Sequence, residues 1–268
     1  MKKIMLIALA GLLMTSCAPK VYMQIVDVKS TTVPMDGNNY AYNDGKCKIT
    51  YNFWDAYGDA GFTIENLTDQ LLYINLGESF YTNNGYANDY FRNRTYGKTT
   101  PATYRYYGAG RNTVSGFTKA TVVPGQTVTA SEKEVIIVPP HAVKKITEYT
   151  IVNDLLEDCA IKMFPKKNRP EGKSFAEKDS PLQFSNYVTY KVGEEGAPVH
   201  VNNTFYVAGF KNYRFKETQE AQKAGCHGQY DVSRNRFAEP TKYFIRYVPT
   251  HLNINSADAK AAYRIYVK

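Results

Sequence analysis

The residue types best suited to gripping a partner are concentrated between positions 80 and 107. Phe80, Tyr81, Tyr86, Tyr90, Phe91, Tyr96, Tyr104, Tyr106 and Tyr107 are interleaved there with Arg92, Arg94, Lys98 and Arg105 and with many Asn and Gly residues. Tyrosine offers a broad apolar ring with few torsions to freeze, and arginine adds planar donors. That combination is favoured at surfaces that hold proteins or sugars. It equally describes an ordinary Tyr-rich sheet, because tyrosine has high strand propensity. Glycines and asparagines interrupt clean alternation from Asn83 to Asn93, which predicts loops and therefore an exposed surface. Tyr86, Tyr90, Arg92, Arg94, Tyr104, Arg105 and Tyr106 are the candidate binding residues.

Other spacings that imitate chemistry do not carry it. Gly97-Lys98-Thr99 copies the end of a phosphate-binding loop, but the motif needs a glycine where Arg92 stands, and no strand-to-helix context follows. His141, His200, His227 and His251 are scattered singly, so a catalytic triad would have to be assembled from distant strands. Cys226-His227 offers adjacent ligands that point apart on extended backbone, in no zinc spacing. Glu194-Glu195 sits inside Gly193 to Gly196, where a hairpin tip accounts for it, and neighbouring turn residues cannot flank a glycosidic bond from opposite faces. No catalytic residue, metal site or cofactor is expected. The rival to a non-enzymatic reading is a hydrolase whose site is built from non-local residues.

The N-terminus is the most informative stretch for location. Met1-Lys2-Lys3 is basic, Ile4 to Met14 is an unbroken apolar or glycine run, and Thr15-Ser16-Cys17 closes it with small residues, the pattern of a signal peptide. The run falls short of the roughly 20 residues that a membrane-spanning helix needs. Met14-Thr15-Ser16-Cys17 resembles the lipobox of bacterial lipoproteins, in which the cysteine is acylated and becomes the first mature residue. Acyl chains add about 0.8 kcal/mol per buried CH₂, so two or three on Cys17 would anchor the protein durably. With Cys17 acylated, Cys47, Cys159 and Cys226 remain, an odd number that permits at most one internal bridge. The net charge of +8 is spread through the chain, and an envelope location removes the usual nucleic-acid ligand, so no nucleic-acid partner is expected.

Beyond Cys17 the dominant period is two. Lys46 to Phe53 alternates polar and apolar without a fault, which predicts a strand with Cys47, Ile49, Tyr51 and Phe53 on one buried face. Strands are also expected at Val21 to Val28, Phe62 to Glu65, Leu71 to Leu76, Thr121 to Val123, Val135 to Val138, Tyr187 to Val192, Thr204 to Phe210, Tyr243 to Val248 and Tyr263 to Val267. Turn signals at Asp36 to Asn39, Asn43 to Gly45, Asn83 to Gly85, Pro124-Gly125 and Gly193 to Gly196 suit hairpins. Only Glu217 to Ala224, with Gly225 as C-cap, and Ser256 to Ala262 read as short helices. The expected fold is mainly β: an antiparallel immunoglobulin-like or related β-sandwich over residues 17–268 with short helical pieces, following a signal peptide at 1–16. The basic, proline-punctuated stretch 165–181 marks either a loop inserted in that one domain or a domain boundary. A contact to anionic lipid headgroups is a further reading of its lysines.

Two segments carry a resemblance. Asn52-Phe53-Trp54, followed by Asn66-Leu67-Thr68-Asp69 and Gly77-Glu78-Ser79-Phe80, is similar to a set of Bacteroidetes envelope lipoproteins, as is Ser180 to Tyr190. The resemblance implies an immunoglobulin-like or related sandwich and an envelope location, and it implies no activity. Surface-displayed lipoproteins of that group commonly carry an acidic cluster after the acylated cysteine. Here Ala18-Pro19-Lys20 follows instead, so an outer-membrane lipoprotein facing the periplasm is expected, with the cell surface as the alternative. Its partners would be the membrane, through Cys17, and a protein or glycan.

Overall fold

The alternation around Ile49 folds as its period dictates: Cys47, Ile49, Tyr51 and Phe53 are all fully buried, while Lys48 and Thr50 are not. The computed structural model describes residues 20–100, 103–107, 119–123, 126–224, 226, 228 and 230–249, and within 98–128, and at residue 230, it describes strand backbone alone. In chain order the strands are β1 (Tyr22–Lys29), β2 (Met35–Asp36), β3 (Asn39–Asn43), β4 (Cys47–Tyr51), β5 (Phe62–Asn66), β6 (Leu72–Asn83), β7 (Tyr86–Asp89), β8 (Thr95–Thr100), β9 (Thr103–Tyr107) and β10 (Lys119–Val123). They continue with β11 (Gln126–Ser131), β12 (Val135–Val138), β13 (Val143–Ile146), β14 (Glu171–Ser174), β15 (Gln183–Val192), β16 (Val199–Arg214), β17 (Gln219–Ala224), β18 (Tyr230–Asn235) and β19 (Lys242–Tyr247). The named strands pair antiparallel throughout, in a mainly β, sandwich-like fold.

Two sheets make the body. The larger runs β12-β6-β15-β16-β1-β19, with β14 added to β16 and β7 to β6; the smaller runs β13-β5-β4-β3-β2. Their inner faces meet in one aromatic core. Tyr51 and Phe53, from the smaller sheet and its edge, lie 4.7 and 5.0 Å from the ring of Phe205 on β16, and Phe184 on β15 stacks on Phe205 at 5.4 Å. Edge-to-face and offset pairs of this kind add about 0.5–1.5 kcal/mol each beyond the area they bury. A second, smaller cluster of Met23, Ile25 and Tyr213 lies against Trp54, Phe215, Phe237 and Phe244.

The turns follow their residues. Asn84 and Gly85 both take positive φ (46° and 84°) between β6 and β7, as a two-residue hairpin requires, and Gly45 does so (82°) between β3 and β4. Gly193 to Gly196 connects β15 to β16. Stretch 165–181 contributes β14 to the larger sheet, which also holds strands from before it (β1, β6, β12) and after it (β15, β16, β19).

One local expectation is overturned. Glu217 to Ala224 is not a helix: Phe215–Glu217 is a single 3₁₀ turn, and Gln219–Ala224 is β17, paired residue for residue with β18. Gln, Glu, Ala and Lys favour helix individually, but the segment holds no apolar stripe to bury, and the pairing with Tyr230–Asn235 satisfies its backbone instead. Among the described residues the other helical piece is the 3₁₀ turn Glu177–Asp179. The expected elements at Ser256 to Ala262 and Tyr263 to Val267, and the turn at Pro124-Gly125, lie outside the described residues. Among the described residues no helix is long and apolar enough to cross a membrane.

Candidate functional site

The Tyr/Arg segment owes its position to a broken edge strand. β7 pairs with β6 over Phe80 to Asn83, and β12 pairs with the same strand over Leu72 to Asn75, in the same antiparallel sense. β7 and β12 are therefore two halves of one edge, and the chain between Tyr90 and Glu134, whose own backbones still bond to β6, is inserted between them. Within this excursion β8 pairs with β11 in a two-stranded ribbon that starts at its root, and β9 pairs with β10 in a second. Each pair is a separate two-stranded unit with no third strand among the described residues.

Its root is tightly built. Tyr90, the first residue of the excursion, turns into the core, where its hydroxyl donates to Asn186 Oδ1 at 2.5 Å and its ring meets Phe62 at 5.8 Å. Arg94 closes the root by donating to Glu132 and Glu148, and Glu132 Oε2 accepts the backbone N–H groups of Arg92 (2.9 Å) and Arg94 (3.0 Å). The Arg94 guanidinium, together with those two N–H donors, holds the Glu132 carboxyl down to about 2. Arg92 lies over the ring of Tyr149, 4.8 Å from its centroid, and donates from Nε to the Tyr149 hydroxyl at 3.2 Å. Tyr149 in turn stacks on Tyr81 at 5.1 Å and donates to the Asp89 carbonyl. The result is an arginine laid on a layered tyrosine pair, beside the root of the ribbon.

Next to it opens a cleft of about 510 Å³ whose lining includes Tyr90, Arg94, Tyr96, Glu132, Ile137 and Glu148. Val135, Ile137 and Val143, on the edge strands β12 and β13, are exposed apolar groups. Glu132 and Glu148 are the one pair of carboxylates here that resembles an acid/base couple. Both are bound to the same guanidinium, and a carboxyl held near 2 carries no proton to donate at neutral pH. The arrangement suits recognition by ring faces, guanidinium donors and an apolar edge.

The sequence-predicted residues fall into three groups. Tyr86 is 79 % exposed, but in edge strand β7 and not in a loop; Arg92 is exposed outside any strand, and Arg94 is half-buried in its carboxylate clamp. Tyr90 is a correction: at 2 % exposure it belongs to the core, because its backbone still follows β7, donating to the Ser79 carbonyl, and its ring turns inward onto Phe62 with the hydroxyl on Asn186. Tyr104, Arg105 and Tyr106 lie in β9, opposite Val122, Thr121 and Ala120 of β10, and their side chains are outside the described part. Tyr149, Glu132 and Glu148 were not singled out by sequence. They join the arginines across long separations, and no local spacing announces them.

Elsewhere, Lys98 and Thr99 sit in β8, in ribbon backbone and not in a phosphate loop. His141 bonds to Asp69 at 2.9 Å, and His200 lies 2.9 Å from Thr189 Oγ1 and stacks on Tyr187. His227 and His251 are outside the described residues. Cys47, Cys159 and Cys226 are free thiols, the first buried and the others exposed. Among the described residues no group of three His, Cys, Asp or Glu side chains could hold a metal ion. No protein-family model, curated protein or solved structure matches this chain.

Proposed function

We propose that the protein is a lipid-anchored component of the bacterial cell envelope, held at the outer membrane through Cys17. In this reading it faces the periplasm and binds a protein or glycan partner without catalysing a reaction. The observation that carries the binding reading is the Arg92–Tyr149–Tyr81 stack at the root of an edge-strand ribbon. It offers an exposed guanidinium, backed by the Tyr149 ring, beside an apolar edge, on the side of the sandwich where a strand has been opened to let the ribbon out. A two-stranded ribbon has little core of its own, and Tyr104, Arg105 and Tyr106 belong to β9 within the same excursion. The basic start, short apolar run and Cys17 support the anchor.

The test couples both halves. Cys17→Ser should leave the precursor unprocessed or release the protein from membranes, and unchanged retention with normal maturation would overturn the anchor. Cross-linked capture from native membranes by the wild type, set beside Arg92→Glu and Tyr86→Ala, tests the surface. Loss of a partner in folded variants supports it.

A further inference from the structure

A second patch, at the end of the larger sheet where β1 begins, is assigned no role by the binding surface. Tyr22 opens β1 and pairs with Arg214 at the end of β16 and Tyr247 at the end of β19, so three strand ends meet there. Val21 accepts the Phe215 N–H at 3.0 Å. Phe164, 45 % exposed, lies edge-on to Tyr22 at 5.2 Å, and the Tyr247 hydroxyl donates to the Met163 carbonyl. From Phe164 the chain runs through Lys166 and Lys167 to Asn168, whose N–H donates to Glu217 at 2.7 Å. Arg246 lies over the Phe215 ring at 4.6 Å.

The charge at this end is one-sided. Lys20, Lys166, Lys167, Arg169, Lys216 and Arg246 are exposed and Arg214 is half-buried. None of the seven forms an ion pair among the described residues. The nearby carboxylates Asp158 and Glu171 are already paired with Lys173 and Lys162, and Glu217 accepts the Asn168 N–H. Half-exposed Phe164 and Phe215 stand among them. Cations around a few aromatic rings are the composition that sits at an anionic bilayer interface.

The tether decides the occupant. Only five peptide steps separate Cys17 from Tyr22, a reach of at most about 18 Å. That length is a maximum, so a lipid on Cys17 lets this end of the sheet come within one Debye length of the headgroups, about 8 Å at physiological ionic strength, where attraction between the cations and anionic lipid acts. We propose that the Tyr22 end of the larger sheet, with Phe164, Lys166, Lys167, Phe215, Lys216 and Arg246, docks on the anionic lipid surface to which Cys17 is anchored. This rests on the lipid anchor proposed above. Docking fixes how the tethered body stands on the membrane, which a flexible anchor alone would leave free.

The experiment uses the full-length lipidated protein, purified in detergent and reconstituted into vesicles with brominated acyl chains. Phe164→Trp places a reporter in the patch, and the signal of the wild type, whose single tryptophan is Trp54, is subtracted. Quenching should be about threefold stronger where roughly a third of the lipid is phosphatidylglycerol than in phosphatidylcholine alone, and should fall with added salt. Charge reversal at Lys166 and Lys167, or at Lys216 and Arg246, should abolish the difference while circular dichroism stays unchanged. Equal quenching on both vesicles, or no effect of the reversals, would overturn the docking. Mass spectrometry of the N-terminal peptide separates the two ideas. A lipidated Cys17 without charge-dependent quenching rejects the docking alone, whereas a Cys17 without lipid rejects the anchor and the docking with it.

Discussion

Tyr86 and Tyr90 stand four residues apart on one edge of the sandwich, the first 79 % exposed and the second 2 % exposed with its hydroxyl on Asn186. The two rings should therefore separate cleanly in stability. Tyr86→Ala should change the free energy of unfolding by about 0.5 kcal/mol or less, and Tyr90→Ala should cost about 3–5 kcal/mol. Tyr90→Phe isolates the hydrogen bond: it strands the Asn186 oxygen in the core and should cost about 1–3 kcal/mol. Urea denaturation of the three variants measures all of it, and equal losses at 86 and 90 would contradict the edge-strand description.

Tyr243 is the opposite case. Its ring is fully buried, its hydroxyl finds no partner among the described residues, and burial pushes its ionisation upward. Tyr243→Phe removes an unpaired polar atom at little cost in shape, so stability should hold or rise by about 1 kcal/mol. A melting temperature many degrees lower would show that the hydroxyl is bonded after all.

The buried face of β4 gives a harsher test. Ile49 is fully buried opposite Ile64 of β5, and Ile49→Asp would place an unpaired carboxylate between the sheets. The expected cost of several kcal/mol is enough to unfold a marginal domain. A variant that melts like the wild type would remove this face from the core.

Much of this was legible in the sequence because it rests on local period. Lys46 to Phe53 gave its buried face directly, Val135 to Val138 was bounded as it occurs, and Asn84-Gly85 marked its hairpin. What escaped depends on partners distant in the chain. Gln219–Ala224 has helical composition and became a strand because β18 lies beside it. Tyr90 looks like its exposed neighbours until Phe62 and Asn186 meet its ring and hydroxyl. The Arg94 clamp needs Glu132 and Glu148, and no periodicity links those positions.

The root of the ribbon should respond to acid in a defined window. Glu132 has its carboxyl lowered from 4.5 to about 2, chiefly by Arg94. A depressed carboxyl contributes stability that is full above its unfolded value and is lost as pH falls through the folded one. The root should therefore hold at pH 5 and loosen progressively between about 4.5 and 2. Amide exchange at Arg92 and Arg94, corrected for the intrinsic pH dependence, follows this directly. Glu132→Gln should show fast exchange at both sites already at pH 5, and protection independent of pH and of that substitution would contradict the clamp.

Cysteine chemistry reports on the other side of the core. Burial pushes the Cys47 thiol up to about 12, and Tyr190 and Asp44 cover it. Native protein treated with iodoacetamide should therefore be modified at Cys159 and Cys226 and spared at Cys47, which should react only on denaturation. Rapid native labelling of Cys47, read by mass spectrometry, would mean that β3 and β4 open readily.

The most direct measurement of the binding account is cross-linked capture from native envelopes, run in parallel on the wild type, Arg92→Glu and a surface control, Lys48→Glu, which lies on the outer face of β4. All three must first show the same melting temperature. The account predicts that a protein or glycan recovered with the wild type and with the Lys48 variant is lost from the Arg92 variant, because the guanidinium stacked on Tyr149 is part of what the partner meets. Recovery of the same partner by a folded Arg92→Glu protein at the wild-type level would contradict it.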